Sequence, residues 1–270
     1  MAKQRKSFGC KRAALALAIL CAISMIEVSA SNLADPAVLI PPARFSVGAS
    51  YDLGGFTITN DSVPCLLNRF EARVSYSPFS FVNFGIDGGA TQMEVAGDTT
   101  GTDTVGIFHG KYAFSGGGHL KLGTPFYFND LVAAVGILHG TYFSSKNDAG
   151  AVYSGIDADG GGGLQFHIHD FGYVTAGSSV YMIFGKNKSF SGQEGRYSNI
   201  NNVRGWLAID YFPTIAASSR NLMYISLELT VSPKVTFDGR APVQEMSASV
   251  SIGSITRKLY GKESEIEWKP

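Results

Sequence analysis

Apolar and polar residues alternate with a period of two along most of this chain. Between residues 69 and 76, Phe70, Ala72, Val74 and Tyr76 alternate with three charged residues and a serine. Such alternation is typical of a β-strand with one apolar and one polar face. Residues 131–143 are apolar on both faces, so the pattern predicts a strand there without orienting it. Including that one, ten segments are predicted as strands: 44–53, 69–76, 82–90, 111–122, 131–143, 164–168, 174–184, 204–211, 223–231 and 245–252.

The connections between these segments alternate roughly between short and long. Residues 77–80 and 169–172 make tight links, whereas 91–106 and 186–202 are long and polar. Two of the expected short links, residues 123–130 and 213–221, are only moderately short. This alternation is typical of a transmembrane barrel, which has short periplasmic turns and long external loops. No comparable segment shows a helical period with caps, so almost no helix is predicted.

The composition and the lengths of the apolar runs distinguish a transmembrane β-barrel from a helical membrane protein. Charged residues are 16% of the chain, against roughly 25% in soluble domains. The longest apolar run, Leu131 to Leu138, is far shorter than the roughly 20 residues that a transmembrane helix needs, which excludes a helical membrane protein. A sheet in hydrocarbon must close on itself, because every backbone polar group has to be paired within the protein. The expected fold class is therefore all-β, a closed antiparallel up-and-down transmembrane β-barrel of about ten strands, with eight to twelve possible.

Aromatic residues cluster at the predicted strand ends. Such placement is typical of the two aromatic girdles at membrane interfaces and favours a barrel over a secreted soluble β-sandwich, which alternation alone leaves open. The residues expected in the girdles are Tyr51, Tyr76, Phe81, Phe126, Tyr127, Phe128, Tyr142, Phe143, Phe171, Tyr173, Phe184, Tyr211 and Phe212.

The first thirty residues have the layout of a secretory signal peptide. A basic start precedes an apolar run from Ala13 to Ile26, and small residues follow at the expected cleavage site. We therefore predict a signal peptide at 1–30, a periplasmic N-terminal segment at 31–41, the barrel at 42–256 and a C-terminal periplasmic tail at 257–270. Without the signal, 17 basic and 21 acidic residues remain, a net charge of −4, which gives no reason to expect nucleic acid as a partner. Cys65 is then the single cysteine, so no internal disulfide forms.

From about Pro42 to Ile255, this pattern resembles that of small bacterial outer-membrane β-barrel proteins. The resemblance implies localisation in the outer membrane, with its lipid, lipopolysaccharide and the barrel-insertion machinery as partners. The sequence departs from the pattern of this class at its C-terminus. Such barrels often end on an aromatic residue, but here about fifteen residues follow the last strand, and neither Tyr260 nor Trp268 closes a clean alternating segment.

The polar face of the predicted strands carries isolated charges that a closed barrel would turn inward. A ten-stranded barrel has a narrow lumen, since about eight strands leave room only for side chains. These charges are expected either to form an ion-pair network that fills the barrel or to line a path for small solutes. The predicted lumen network comprises Arg69, Glu71, Arg73, Lys111, Lys121, Arg204, Asp210 and Glu228.

Other candidate motifs point to no cofactor and no metal. His167 and His169 share one strand face but have no evident third ligand. The run from Asp157 to Gly160 resembles the start of a calcium loop, yet the glutamate that such a loop needs is absent. The glycines at 116–118 and 160–163 are interpreted as bends or points of close packing.

We expect a protein without catalytic activity, with a structural, interaction or passive-transport role, in which the long loops 91–106 and 186–202 offer external surfaces. Two alternatives stay open. One is an enzyme at the barrel rim, as in some outer-membrane proteases, built from His109 and His139 with Asp98, Asp103 or Asp148. The other is a secreted β-sandwich that binds a ligand.

Overall fold

The computed structural model describes residues 36–58, 63–96, 107–169, 171–189, 191–199, 202–213, 221–234 and 244–256. Within these ranges all regular elements are strands, and no helix there is long and apolar enough to cross a bilayer. The predicted signal peptide and the C-terminal tail lie outside the described residues. The strands are β1 (Arg44–Ile58), β2 (Val63–Phe79), β3 (Val82–Val95), β4 (Phe108–His109), β5 (Ala113–Gly123), β6 (Val132–Lys146), β7 (Val152–Ile168), β8 (Gly172–Lys188), β9 (Glu194–Ser198), β10 (Val203–Tyr211), β11 (Asn221–Val231) and β12 (Met246–Thr256).

Ten of these strands form one closed antiparallel barrel, as the alternation predicts. Each pairs with its neighbour in sequence, β1 pairs with β12, and β10 pairs with β8 to complete the ring. The two short strands β4 and β9 lie off the ring, on the ends of β3 and β8. Closure leaves no unpaired edge within the ring, which is the condition for a sheet in hydrocarbon.

The barrel has two unlike ends. Arg44 and Thr256 lie at one end, together with the short links from β2 to β3 and from β7 to β8; we call this the terminus end. The opposite end, the loop end, carries the three longest connections, which run from β3 to β5, from β8 to β10 and from β11 to β12. Strands β2, β7 and β8 each have 17 residues, more than the about 9–11 that a tilted strand needs to cross a bilayer. Several outward residues near the loop ends of β6 and β8 are polar, among them Lys146, Lys186 and Lys188, as expected of a wall that extends beyond an apolar belt.

The outer and inner faces are inverted relative to those of a soluble protein. Large apolar side chains point outward and are exposed, with Ile86 and Phe114 each 70% accessible. Their neighbours along the strands, Asp87 and Ser115, point inward and are buried. An apolar surface of this extent marks contact with a membrane or with another protein. The soluble β-sandwich, which would bury its apolar face, is therefore not the fold.

Aromatic rings form contacts on the outer face at two heights. Near the middle of β1 and β2, the tilted rings of Tyr51 and Phe70 lie 4.5 Å apart between centroids, and Phe70 contacts Tyr112 at 5.7 Å. At the terminus end, Phe79 pairs with Phe81 at 5.5 Å. Three residues expected in the girdles are instead inside the barrel and buried, because they fall on the inward parity of their strands: Phe143, Tyr173 and Phe212.

Candidate functional site: the barrel interior

The interior is filled by three layers of side chains. An apolar layer occupies the terminus end, a layer of charged and polar side chains occupies the middle, and a second apolar layer occupies the loop end. Because the side chains of all three layers are buried, the charged layer has little contact with bulk water.

The terminus-end layer is built around the segment 36–41, which precedes β1. Ala37, Val38 and Ile40 are buried there against inward aromatic residues such as Trp206 and Tyr224. The segment was expected in the periplasm, but its described residues lie inside the barrel instead. The reason is visible in its sequence, since an apolar stretch gains more from packing within the barrel mouth than from exposure to water.

Two polar contacts fix this segment to the wall. The Val38 backbone N–H donates to Oδ2 of Asp210 at 2.9 Å, and Lys121 Nζ donates to the Pro36 carbonyl. Asp210 also accepts from Ser226 Oγ at 2.6 Å. A cavity of about 300 Å³ remains beside the segment, lined mainly by residues 38–42 and by the link between β5 and β6. Asp210 and Lys121 therefore hold backbone groups of the segment that would otherwise be buried without partners.

The loop-end layer is an apolar core inside the projecting part of the barrel. It is made by side chains of the wall itself, so it cannot leave as a separate plug. Its members are Phe56, Ile58, Val63, Cys65, Leu67, Met93, Val95, Phe108, Phe143, Tyr153, Tyr181, Ile183 and Tyr197.

Arginines organise the charged layer. Arg69 donates from Nη2 to Asp157 Oδ2 at 2.8 Å and from Nε to Thr91 Oγ1 at 3.0 Å. Arg204 donates to Glu245 Oε2 at 3.2 Å. Its guanidinium carbon also lies 3.8 Å from the centre of the Tyr181 ring, a cation–π contact. The pair of Arg69 and Asp157 joins β2 to β7, which are not neighbours in the sheet, and so braces the lumen.

Asp87 is the centre of a second group. Arg73 Nε donates to its Oδ1, while Oδ2 faces Nδ1 of His119 at 3.3 Å and Nε2 of His139 at 3.5 Å. His119 also contacts Ser75 Oγ through Nε2 at 3.0 Å. A Cβ at Gly85 would overlap the His119 ring, so this glycine provides the space that the imidazole occupies.

Seven of the eight residues predicted for the lumen network are inside and buried, in the two groups above or beside them: Arg69, Glu71, Arg73, Lys121, Arg204, Asp210 and Glu228. For Lys111 the prediction is wrong. Its side chain is 66% exposed and pairs with Asp148 on the outside of the barrel at the loop end. Lys111 precedes β5 and makes only an isolated bridge to Lys146, so the strand alternation does not extend to it.

Several interior residues were missed as members of the network, although they are as buried as those predicted: Asp52, Asp87, His119, His139, Asp157, Asp159 and Glu245. Most of them fall on the inward parity of strands whose alternation had been recognised, and this signal would have found Asp87 and His119. The described interior holds eight buried carboxylates and four buried Lys or Arg side chains. Carboxylates therefore outnumber cationic Lys and Arg side chains by four in the described interior.

The other candidate residues fall into plain structural roles. His167 packs between the Phe126 and Tyr173 rings, at 6.3 and 4.9 Å between centroids. Asp157, considered as part of a calcium loop, is the partner of Arg69. His139, considered for the external rim, is buried in the charged layer, whereas His109 is exposed. The two histidines of the rim-enzyme alternative therefore do not share a site, and Asp98 and Asp103 lie outside the described residues.

No protein-family model and no curated protein matches this chain. Among solved structures it is similar to the translocator domain of the autotransporter NalP from Neisseria meningitidis, at 10% identity and a TM-score of 0.43, covering 93% of this chain and 98% of that one. It is also similar to a deletion mutant of the monoaromatic hydrocarbon channel TodX, at 10% identity and a TM-score of 0.32, covering 85% and 93%. The monoaromatic hydrocarbon channel CymD follows, at 9% identity and a TM-score of 0.26, covering 80% and 88%. All three are outer-membrane barrels, the class that the sequence resembles.

Proposed function

We propose that this protein is a non-catalytic, non-conducting barrel of the bacterial outer membrane, which anchors an external projection as an interaction surface. The observation that carries the proposal is the filled interior. The apolar layer at the loop end consists of wall side chains, and the layer at the terminus end is completed by the protein's own segment 36–41. Among the described residues, buried side chains fill the lumen at both apolar layers and at the charged layer between them, which supports a closed barrel.

The outward apolar side chains form a belt around the barrel, which supports insertion in a bilayer. The polar wall beyond this belt supports an orientation with the loop end outside the cell. A projecting loop end belongs outside the cell, because external loops are the long ones in such barrels. The terminus end then faces the periplasm. Outer-membrane lipid and lipopolysaccharide are the partners proposed for the belt, and the insertion machinery is proposed for assembly.

A planar-bilayer recording tests the non-conducting role. The protein, purified in mild detergent and folded according to its heat-modifiable gel migration, is expected to insert without discrete conductance steps. A porin recorded in the same bilayers serves as the positive control for the method. Reproducible steps from the folded protein would contradict the proposal.

Passive transport of small cations is the second candidate, and the excess of carboxylates in the charged layer favours it. In this alternative, segment 36–41 moves aside and the loop-end layer rearranges. The same recording separates the two functions, since a path lined by this layer would conduct cations in preference to anions. Steps with cation selectivity would replace the structural role with transport.

A further inference from the structure

In the part of the charged layer that the structure describes, the carboxylate of Glu71 has no hydrogen-bond donor. Both Glu71 oxygens are buried, and neither receives a hydrogen bond. The nearest cation, Arg69, lies 3.6 Å away from Nε to Oε1, and its Nε is already directed at Thr91. A buried carboxylate without a donor is costly, so this site favours a group that supplies positive charge.

Glu71 belongs to a group of metal-ligand type. One oxygen of Glu71, one oxygen of Asp87 and one ring nitrogen of His139 all lie within 4.8 Å of one another, and all three side chains are buried. The three residues come from β2, β3 and β6, so an ion held by them would connect strands across the lumen. We propose that Glu71, Asp87 and His139 form a binding site for a divalent transition-metal ion such as Zn²⁺.

The ligand set determines the class of metal. One imidazole nitrogen and two carboxylates suit zinc and similar first-row ions better than calcium, which takes oxygen ligands alone. Around a tetrahedral ion with bonds of about 2.0–2.2 Å, ligand atoms lie about 3.4 Å apart. The contact of 3.5 Å between Asp87 Oδ2 and His139 Nε2 already has this spacing. The Glu71 oxygen lies within 4.8 Å of the other two ligand atoms, so binding of an ion requires it to move closer to them.

The surroundings orient the ligands. Arg73 occupies Oδ1 of Asp87 and leaves Oδ2 directed at the two imidazoles. His119, held by Ser75, contacts the same Oδ2 and acts as a positioning residue for Asp87. The excess of carboxylates over Lys and Arg side chains in the described interior also favours a divalent cation there.

Cobalt binding tests the site, because Co²⁺ replaces zinc and its visible absorption reports coordination. The protein is unfolded in a chelator, which is then removed, and refolded in detergent with Co²⁺, since the buried site is loaded best during folding. One equivalent of Co²⁺ per chain is expected, displaced by Zn²⁺. Glu71→Gln and His139→Asn are each expected to weaken binding by more than the about 10–100-fold that loss of an outer-shell partner costs.

Two further variants separate the site from other histidines. His119→Gln should weaken Co²⁺ binding by about 10–100-fold without abolishing the spectrum, as expected of a positioning residue. The exposed His109 is the matched control, and His109→Asn should bind like the unmodified protein. Heat-modifiable migration checks that each variant is folded.

X-ray absorption of the zinc-loaded, unmodified protein tests the ligands without any variant. One imidazole with oxygen ligands and no sulfur is expected. A sulfur ligand, which would indicate Cys65, overturns the proposal. Refolded protein that binds less than one equivalent of cobalt also overturns the proposal. The same holds if the folded Glu71→Gln and His139→Asn variants bind Co²⁺ as tightly as the unmodified protein does.

Discussion

At the scale of single residues, the charged layer depends on partners that are as buried as the charges they neutralise. Arg69 is 1% exposed, and its partner Asp157 is 3% exposed. Loss of one member of such a pair leaves the other charged in a nearly dry interior, which costs more than the pair itself contributes. The exposed pair of Lys111 and Asp148 has no such consequence, because water screens both groups.

The Arg69→Met substitution is therefore expected to destabilise the folded barrel by about 3–5 kcal/mol. Adding Asp157→Leu should recover part of this loss, since one of the carboxylates left without its cation is removed. Urea titration of folding into lipid vesicles, followed by gel migration, measures the free energies. Lys111→Met is the matched control and should change stability by less than about 1 kcal/mol. Equal losses in Arg69→Met and Lys111→Met would show that burial does not set the energy of these pairs.

The difference between the buried Arg69 and the exposed Lys111 also shows which parts of the charged layer can be predicted from the sequence. Alternation determines which face Arg69 and Arg73 share, because inward parity is a local property of a strand. Lys111 lies just before the point where β5 begins, and the end of a strand is not encoded in the alternation. The meeting of Asp87 with His139 joins two strands that are not adjacent in the sheet, and only the closed shape of the barrel brings them together.

At the scale of elements, ten strands were predictable, but β6 was not oriented and several strands were predicted too short, among them β2, which begins at Val63 rather than at residue 69. The inward residues of β6 include Val135 and Ile137, which pack in the terminus-end layer, so both faces of this strand are apolar for different reasons. β7 begins at Val152, well before the predicted residue 164. Its missed half pairs with β6 and β8 throughout. The outward face there includes Ile156, but Ser154 and Gly160 interrupt it, so its alternation is weak.

The segment 36–41 is the one described element of the interior that does not belong to the wall. Its deletion should leave a folded barrel, because strand pairing does not depend on it, while exposing the terminus-end layer. Trp206 is 3% exposed there and reports the change. Acrylamide quenching of Trp206 fluorescence is expected to rise in the deletion variant, with Trp268→Phe in both proteins to remove the second tryptophan.

Two other outcomes would change the role assigned to segment 36–41. Unchanged quenching in a folded deletion variant would mean that segment 36–41 does not shield Trp206. Loss of the heat-modifiable band would mean that the segment is required for folding rather than only for closing the barrel. The intact segment with Trp268→Phe is the reference for both measurements.

At the scale of the whole molecule, the belt of outward apolar side chains and the polar wall above it define where the bilayer ends. Val74 and Ile252 lie in the belt and are exposed. Lys146 and Lys188 are also exposed, near the loop ends of their strands. All four side chains are exposed, but the two pairs lie at different positions along the barrel axis. Labels at these positions therefore distinguish lipid from water on one continuous surface.

Nitroxide labels at these positions, introduced through single cysteines after Cys65→Ser, test the membrane position of the entire barrel. In lipid vesicles, labels at Val74 and Ile252 should collide readily with oxygen, which concentrates in hydrocarbon, and poorly with a water-soluble nickel complex. Labels at Lys146 and Lys188 should show the reverse preference. Greater access of the nickel complex at Val74 than at Lys146 would place the belt in water, and the inverted faces would then need a protein partner rather than a bilayer to cover them.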